Sequence, residues 1–366
     1  MTSEKDISDI VRCYDHKNIN LGVLGSHSAL EIMDGATDES IKTVCICQKG
    51  RETPYLRFKR ISNNIIILDK FKDILDPSFQ QKLRDLNVIM VAHRAFSVYL
   101  GYNNIENHFF IPIFGNRKLL KAEERTYPKN QYYLLNRSNI KHPKIYKDPS
   151  KISGPSIVKI QEATRKLERA FYFVSSYDDF LEKTENRIRS GLISRHDVES
   201  ALIEEYIIGT YFNFNFFYSP MKNETEFLGI ERRLQTNLHD FTSSLTAKQQ
   251  LELDIELQNI EIGHTPASIR ESMLEKVFEI GDAFVNGVKE EYKPGLIGPF
   301  SLQSIVTKDL DIYVYDVSFR VPGNPILSTT SPYTKYYYGY PMGVGRRIAI
   351  EVKQAIKENR INEIVT

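Results

Sequence analysis

The stretch LGVLGSHSALEIMDGA, residues 21–36, decides the first part of the fold. A short apolar run is followed by a Gly-Ser-His-Ser turn and then by residues typical of a helix, which predicts a strand, a tight turn and a helix. Similar apolar runs recur in TVCICQ (43–48), NNIIILD (63–69), NVIMVAH (87–93) and HFFIPIFG (108–115), and PSFQQKLRDL (77–86) between them has a helical pattern. Short apolar runs separated by helices predict a parallel α/β sheet that is covered on both faces.

The carboxyl ends of these strands form the expected binding edge, because ligands of such sheets collect beyond the strand ends. The residues at that edge are 25–28, 92–95 and 115–117. The Gly-Ser-His-Ser turn directly precedes a helix, and the unpaired N–H groups of a helix N-terminus can bind a phosphate or a carboxylate.

The pattern changes after residue 117, where a helical stretch (117–125) and a connection rich in Pro, Asn and Lys (126–156) with one short helix are expected. The strand candidates that follow are SIVKI (156–160), AFYFV (170–174), ALIEEYIIG (201–209), YFNFNFFYSP (211–220), TEFLGIERR (225–233), GPFSLQSIV (298–306) and DLDIYVYDVSFR (309–320). Helices are predicted at 176–191, 268–292 and 345–359. Because strands follow one another directly, the last two-thirds of the chain are predicted to be α+β with antiparallel sheets.

The composition is that of an ordinary globular protein. The 366 residues include 48 Lys and Arg against 47 Asp and Glu, so the net charge is near +1 and nucleic acid is not the default partner. No apolar stretch approaches the roughly 18 residues of a membrane span. The N-terminus has no apolar core of a signal peptide. We therefore expect a cytoplasmic protein with no nucleic-acid or membrane partner.

Several common site signatures are missing from the sequence. The three cysteines, Cys13, Cys45 and Cys47, form neither a disulfide framework nor a zinc motif, and Cys45 and Cys47 are expected on one face of a strand. There is no dinucleotide-binding, P-loop, HExxH or GxSxG motif. The aromatic run 333–341 lies in no basic stretch and favours subunit contacts or a packed loop over base stacking.

Four groups of residues remain as candidates for chemistry. His27, in the turn before a helix, could donate to a phosphate ester, although Ser26 or Ser28 could simply cap that helix. Lys159, inside an apolar strand, needs a partner or an anionic ligand unless it faces solvent on an edge strand.

The other two groups are acidic or amidic. Glu204, Glu205 and Tyr206 stand at a strand end, where carboxylates could accept from an adenine amino group or a ribose, or could be solvated surface groups. Gln303 and Asp316 lie in successive strands that antiparallel pairing would bring close enough to share Mg²⁺. Structural hydrogen bonding is the alternative for this last pair.

Taken together, these segments resemble one family. In order they are LGSHSALEI (24–32), TVCICQKGRETPYLRF (43–58), IPIFGNRKLL (111–120), SIVK (156–159), IEEYIIG (203–209), IGPFSLQ (297–303), DVSFR (316–320) and SPYTKYYYGYPMGVGRRIAIE (331–351). The chain is similar along nearly its whole length to the archaeal family of ATP-grasp enzymes that make 5-formaminoimidazole-4-carboxamide ribonucleotide (FAICAR) from its amino precursor (AICAR), formate and ATP.

The resemblance implies an α/β pre-ATP-grasp domain over 1–120 and an α+β ATP-grasp domain with two antiparallel sheets over 121–366. It also implies ATP with Mg²⁺ or Mn²⁺, a formyl phosphate intermediate and a homo-oligomer. By match to the family's motifs, AICAR would contact His27, Ala95 and His264; ATP would contact Lys159, Glu204, Glu205, Tyr206, Gln235 and Arg320; and the metal would contact Gln303 and Asp316.

The sequence departs from the family pattern at several of these places. The family's glycine-rich loop after the lysine strand is replaced by QEATRKLER (161–169), and its HGSF segment reads His93-Arg94-Ala95-Phe96. Gln235 replaces a glutamate, His264 an asparagine, and Asp316 a glutamate that is longer by about 1.5 Å. The glycine- and asparagine-rich loop after the metal strand reads VPGNP (321–325). A weakened or non-catalytic relative, or the same ligase chemistry on another amine, are therefore alternatives.

Overall fold

A computed structural model describes residues 4–125, 127–160, 170–235, 245–246, 249–250, 257–258 and 261–366. Its strands form three five-stranded sheets, of which the first is parallel and the other two are antiparallel. The predicted combination of an α/β unit with an α+β unit is confirmed. The domain boundary at residue 120 stays a prediction.

The first sheet has the strand order β3-β2-β1-β4-β5. Its strands are β1 (Asn20–Leu24), β2 (Lys42–Gln48), β3 (Asn64–Leu68), β4 (Val88–Val91) and β5 (Ile113–Phe114), with helices α1 (Glu4–Arg12), α2 (Ala29–Asp38), α3 (Thr53–Arg57), α4 (Pro77–Asp85), α5 (Arg94–Leu100) and α6 (Tyr102–Asn107). Short 3₁₀ helices span His16–Asn18, Phe71–Leu75 and Arg117–Glu123. Both faces of the sheet are covered, as strand β2 shows. Its Cys45 and Cys47 pack into one apolar core, and its Val44 and Ile46 pack into another. The Sγ atoms of the two cysteines lie 3.6 Å apart, as expected for one face of a strand.

The predicted strand 108–115 is shorter than expected. Only Ile113 and Phe114 pair with β4, because the buried Arg117 donates to the carbonyl oxygens of Phe109 at 2.7 Å and Ile111 at 3.0 Å. These carbonyls are therefore bound by a side chain and not by a neighbouring strand. The helical stretch expected after Arg117 is a 3₁₀ helix.

The second sheet has the order β12-β8-β7-β9-β6. It contains β6 (Ile145–Tyr146), β7 (Ser156–Lys159), β8 (Ala170–Val174), β9 (Leu202–Glu205) and β12 (Leu257–Gln258), and α8 (Tyr177–Arg189) and α9 (Arg195–Glu199) lie in the same part of the chain. The connection before it contains α7 (Gln131–Arg137) and a 3₁₀ helix at Pro149–Lys151. Strand β7 lies in the interior of this sheet, so the alternative of Lys159 on an edge strand is wrong.

The third sheet has the order β13-β11-β10-β14-β15. It contains β10 (Thr210–Ser219), β11 (Glu224–Gln235), β13 (Glu261–Ala267), β14 (Gly298–Val306) and β15 (Ile312–Ser318); a 3₁₀ helix at Glu271–Met273 leads into α10 (Leu274–Glu291). Phe216, Phe284 and Phe300 pack together in the apolar core between this sheet and α10. Strands β6, β12 and β13 were not predicted.

The end of the chain packs against the first sheet. After α11 (Leu327–Thr330) and α12 (Pro332–Tyr338), helix α13 (Val344–Lys357) lies on α2, followed by a 3₁₀ helix at Ile361–Glu363. The contact is close: Gly35 lies against the backbone of Gly345 and Arg346, where a side chain could not fit. Thr366 exchanges two backbone hydrogen bonds of 3.0 Å with Ile113. Within the described ranges, no helix is long and apolar enough to cross a membrane.

Candidate functional site

A cavity of about 70 Å³ lies between the second and third sheets. Its lining includes Ile157, Lys159 and Glu204 from the second sheet and Arg233, Gln303 and Asp316 from the third. Pockets for small ligands usually measure 300 to 1,000 Å³. The cavity is therefore smaller than a nucleotide needs, and its lining side chains have to move to admit one.

Lys159 lies on the cavity wall with its side chain 13% exposed. Its Nζ donates to Oε2 of Glu204 on the neighbouring strand β9, and Glu204 also accepts from the hydroxyl of Tyr132. Burial lowers the pKa of Lys159, and Glu204 opposes that shift. The lysine thus has the partner that its position in an apolar strand requires. Glu204 is only 1% exposed, so the alternative of a solvated surface carboxylate is wrong for this residue.

The segment after Glu204 forms an apolar and aromatic part of the cavity. Tyr206 is buried against Phe173 with ring centroids 4.6 Å apart, and its hydroxyl donates to Gln250 at 2.5 Å. Glu205 is half-buried and accepts from the backbone N–H of Lys144 at 3.2 Å. Apolar side chains of Ile157, Ile207 and Ile305 line the same space, which suits the face of a flat heteroaromatic ring.

Gln303 and Asp316 face each other across β14 and β15, as the strand pairing predicted. The Gln303 amide donates to Oδ2 of Asp316 at 2.9 Å, and Oδ1 accepts from Arg125 at 3.2 Å and from Gln131 at 3.1 Å. The structural hydrogen bond that was the alternative for this pair is therefore present.

The same two side chains also have the donor chemistry for a hard cation. One carboxylate and one amide oxygen are ligands that Mg²⁺ accepts. In the part of the chain that the structure describes, no group of three His, Cys, Asp or Glu side chains could hold a metal ion. The fit therefore depends on nucleotide phosphates and water for the other ligands, which is how Mg²⁺ is commonly held.

A row of polar residues, of which Asp316 is half-buried and the others are buried, crosses the third sheet and continues to His264. Glu231, Asn213, Gln303 and Asp316 occupy paired positions on four adjacent strands. Glu231 accepts from the Asn213 amide at 2.5 Å and contacts Nδ1 of His264 at 2.9 Å.

The other ring nitrogen of His264, Nε2, lies 3.0 Å from Oε1 of Glu261. Since both nitrogens meet carboxylates, which only accept hydrogen bonds, the ring is protonated at both positions. Burial alone would lower the pKa of His264, but Glu231 and Glu261 raise it to about 9. The half-buried Gln235 and Arg233 line the cavity on the same strand as Glu231.

The protonation of His264 predicts a pH-dependent stability. Because its pKa rises from 6.5 to about 9 on folding, its contribution is complete below pH 6.5 and is lost as pH rises through 9. Between pH 6.5 and pH 9.5, the free energy of unfolding measured in urea should fall by about 1–2 kcal/mol more in the wild type than in His264→Gln. This figure is reduced for solvent screening. Equal losses in both proteins would contradict the assigned charge.

His27 and His93 stack with ring centroids 5.8 Å apart at the edge of the first sheet. The Ser28 hydroxyl donates to the Pro322 carbonyl at 2.9 Å, so Nδ1 of His27, 2.6 Å from that hydroxyl, must be the donor. His27 is exposed on one side, and desolvation of the rest of the ring, followed by Arg320 and His93, lowers its pKa, so its Nε2 is an unprotonated acceptor. This geometry favours hydrogen-bond acceptance by His27 over the expected donation to a phosphate ester, and Ser28 does not cap α2 with its side chain.

His93 is fully buried and has the opposite tautomer. Its Nε2 donates to the carbonyl of Leu24 at 2.9 Å, and Nδ1 has no hydrogen-bond partner within the described ranges. Burial lowers the pKa of His93 to about 4, so this ring is also neutral. His264 lies close to His27, because both are next to Gly323. A Cβ added to Gly323 would lie 3.0 Å from His27 and 3.6 Å from His264.

Arg320 and Ala95 complete the set of predicted residues. Arg320 follows β15 with its Nε 3.3 Å from Glu123, and Ala95 is buried in the first turn of α5 beside Arg94. The structure thus brings Lys159, Glu204, Glu205, Tyr206, Gln235, Gln303 and Asp316 to one cavity, and His27, His93 and His264 to a second group near Arg320. Segment 161–169, with its missing glycines, lies outside the described residues.

Five charged residues of this region were not predicted: Glu123, Arg125, Glu231, Arg233 and Glu261. In TEFLGIERRLQ (225–235) the polar residues 231, 233 and 235 recur with the period of two that marks one face of a strand. This signal could have identified Glu231 and Arg233. Glu123 and Arg125 lie in an irregular connection, where no spacing marks them.

Comparison with known proteins separates the chain into two matched regions. Residues 21–146 match a family model described as "Protein of unknown function (DUF1246)". Residues 179–366, about half of the chain, match one described as "Domain of unknown function (DUF1297)".

Named relatives and solved structures agree along the whole chain. The 5-formaminoimidazole-4-carboxamide-1-(beta)-D-ribofuranosyl 5'-monophosphate synthetase of Methanocaldococcus jannaschii is 40% identical over 367 residues, which cover 100% of both chains. The crystal structure of an IMP biosynthesis protein PurP from Thermococcus kodakaraensis superimposes with a TM-score of 0.72 at 26% identity, over 94% of this chain and 100% of the other.

A more distant structure supports the fold alone. An ADP complex of purK, an N5-carboxyaminoimidazole ribonucleotide synthetase, superimposes with a TM-score of 0.58 at 13% identity, over 89% of this chain and 78% of the other. Its ATP-grasp fold agrees with the three sheets described above. The chain therefore belongs to the family of FAICAR synthetases, the carbon–nitrogen ligases of purine biosynthesis with an ATP-grasp fold that its motifs predicted.

Proposed function

We propose that this protein uses ATP to join formate to the amine of AICAR, giving FAICAR, ADP and phosphate. A formate oxygen would attack the γ-phosphorus with loss of ADP, and the amine would then attack the formyl carbon with loss of phosphate and a proton. The main support is the short chain of contacts between the cavity and the histidines. Arg233 on the cavity wall pairs with Glu261 at 3.3 Å, Glu261 contacts His264 at 3.0 Å, and Gly323 lies next to both His264 and His27. A small acyl phosphate formed between the cavity and the histidines would meet the acceptor without crossing open solvent.

In this proposal, one part of the cavity binds the base of ATP and another part binds its phosphates. The apolar side chains of Ile157, Ile207 and Ile305 suit the adenine ring, with Glu205 and Tyr206 at its edge. Lys159 would exchange part of its contact with Glu204 for a phosphate oxygen, and Gln235 and Arg233 lie on the opposite wall. Catalysis of phosphoryl transfer rests mostly on such positioning and charge neutralisation.

Gln303 and Asp316 are the residues that would hold Mg²⁺ or Mn²⁺ together with phosphate oxygens. When bound, the metal supplies neutralisation of the charge that develops on the transferring phosphoryl group. Arg125 now occupies one oxygen of Asp316, so it must shift or share that oxygen when the metal binds.

The two histidines of the first sheet have the chemistry to orient the acceptor. Nε2 of His27 and Nδ1 of His93 are both unprotonated, so they accept hydrogen bonds from N–H or O–H groups. The amine and carboxamide of AICAR, and the ribose hydroxyls, are such donors. This polarity would hold the amine with its lone pair free to attack.

The proposal is tested by coupled release of ADP and phosphate with ATP, formate, AICAR and Mg²⁺, with FAICAR identified by mass spectrometry. We expect release only when all four are present, and incorporation of ¹³C from labelled formate into the product. Asp316→Asn should remove turnover, whereas Asp311→Asn, which changes a surface ion pair on the same strand hairpin, should not. Lack of product with both Mg²⁺ and Mn²⁺ would contradict the proposal.

The same chemistry on a different amine is favoured by two observations in the acceptor region. Ala95 offers no hydroxyl, and both ring nitrogens of His264 are already bound to carboxylates. Phosphate release with a panel of other aminoimidazole and amino-sugar phosphates in place of AICAR would decide between the acceptors. A larger kcat/KM with one of them would make it the substrate.

A further inference from the structure

Three charged side chains meet where the first and third sheets join. Arg94 begins helix α5 after the buried His93, Glu123 ends the 3₁₀ helix that follows the first sheet, and Arg320 follows β15. Nη1 of Arg94 lies 3.5 Å from Oε2 of Glu123, and Nε of Arg320 lies 3.3 Å from Oε1. Two arginines thus share the two oxygens of one buried carboxylate.

Arg320 is incompletely satisfied by the protein around it. The residue is 9% exposed, and Nη1 donates to the carbonyl of Val321 at 3.2 Å. Its Nε has no hydrogen-bond partner in the ranges that the structure describes, since the contact with Glu123 lacks hydrogen-bond geometry. Oε1 of Glu123 already accepts from the backbone N–H of Phe319 at 2.9 Å. Buried guanidinium donors without acceptors are costly, and an oxyanion is the ligand that would satisfy them.

Arg94 provides the accessible side of the same group. Its side chain is 36% exposed, and Nη1 has a second, longer contact of 3.9 Å with Glu124. Glu124 in turn accepts from the hydroxyl of Tyr102 at 2.9 Å, and this bond positions the Glu124 carboxylate. The pair of arginines therefore has one member that faces solvent, Arg94, and one that is buried, Arg320.

The position of Arg320 relates this group to both parts of the candidate site. The N–H of Val321 donates to the carbonyl of Ala92 at 3.1 Å, so the residue after Arg320 is joined to the edge that carries His93. On the other side, β15 carries Asp316 four residues earlier, on the wall of the nucleotide cavity. An anion on Arg320 would thus lie between the cavity and the acceptor histidines.

We propose that Arg94 and Arg320 form the binding site for the carboxylate of a small monocarboxylic acid, with Glu123 as the residue that positions both guanidinium groups. This inference rests on the proposed function, in which formate is that acid. It assigns Arg320, matched by resemblance to ATP, to the carboxylate, and it makes Arg94 a specificity-determining residue.

The test uses the full chain with Arg94→Met, Arg94→Lys and the control Arg12→Met. Arg12 is an exposed arginine on α1 that pairs with Asp9, so its replacement should leave all constants unchanged. We expect Arg94→Met to raise the KM for formate about 10- to 100-fold, and the KM for ATP and AICAR by less than about threefold. Arg94→Lys, which keeps the charge, should be intermediate. A rise in the KM for ATP with an unchanged KM for formate would overturn the inference.

A second measurement separates this inference from the proposed function. Saturation-transfer NMR detects weak binding of formate through its proton and needs no turnover. Loss of the formate signal in Arg94→Met, with the signal kept in Arg12→Met, supports the site even if the wild type makes no FAICAR. Equal formate signals in all variants would overturn the site, even if the wild type is an active synthetase.

Discussion

Replacing Arg347 by methionine should lower the free energy of unfolding by about 3–5 kcal/mol, because it removes the cation that pairs with the buried Glu351 and leaves the buried Glu226 with Lys222 alone among the cations that pair with it here. Arg347 is fully buried in α13, and its Nε and Nη2 donate to Glu226 at 2.5 and 3.0 Å. Its Nη1 lies 2.9 Å from Glu351, which also accepts from Ser219. The network joins the end of the chain to β10 and β11, so its loss should be felt across the whole molecule.

The neighbouring residue provides a matched control. Arg346 is 27% exposed and pairs with Glu39 at 2.9 Å, so Arg346→Met should cost no more than about 1 kcal/mol. Urea unfolding followed by circular dichroism measures both variants. Equal losses for Arg346→Met and Arg347→Met would show that burial of the Arg347 network does not govern its contribution.

Replacing Lys159 by methionine should have the largest effect on activity. Under the proposed function, kcat/KM for ATP should fall by at least about 100-fold, since a charge-assisted contact to phosphate is lost from a largely buried position. The same change leaves Glu204 with only Tyr132 among the partners described above, and the free energy of unfolding should fall by about 3 kcal/mol.

Two further variants separate these effects. Lys159→Met combined with Glu204→Gln should recover most of the stability, because no unpaired charge remains, but none of the activity. Lys141, which is 58% exposed and pairs with Asp311 at 2.9 Å, serves as a surface control, and Lys141→Met should change neither property measurably. Unchanged ATP kinetics in Lys159→Met would remove this lysine from the nucleotide site.

The fold was predictable where the sequence contains uninterrupted apolar runs. Strands β1, β2 and β4 are buried on both faces, and their uninterrupted apolar runs identified the parallel sheet. Strand β13, by contrast, is a half-exposed edge strand with the sequence EIGHTPA, which contains a proline and no apolar alternation. Side chains also join it to β11, since His264 contacts Glu231 and Glu261 pairs with Arg233, and sequence periodicity does not record such contacts.

The sequence indicated which residues belong to the candidate site, but it did not indicate which of them form ion pairs. The register of β14 and β15 placed Gln303 beside Asp316, as strand alternation requires. The partners of Lys159 and Asp316 come from segments distant in sequence: Glu204 lies 45 residues from Lys159, and Arg125 lies 191 residues from Asp316. Whether a buried charge is paired depends on such tertiary contacts, so the ion pairs inside the cavity could not be inferred from motifs.

The packing of α13 against α2 has a consequence for the order in which the protein matures. On the ribosome, the first sheet and α2 emerge more than 200 residues before α13 does, so one flank of the nascent α/β unit stays bare until α13 has been synthesised. Its apolar surface needs shielding throughout that interval, and a polypeptide released after the first sheet would lack the piece that closes it.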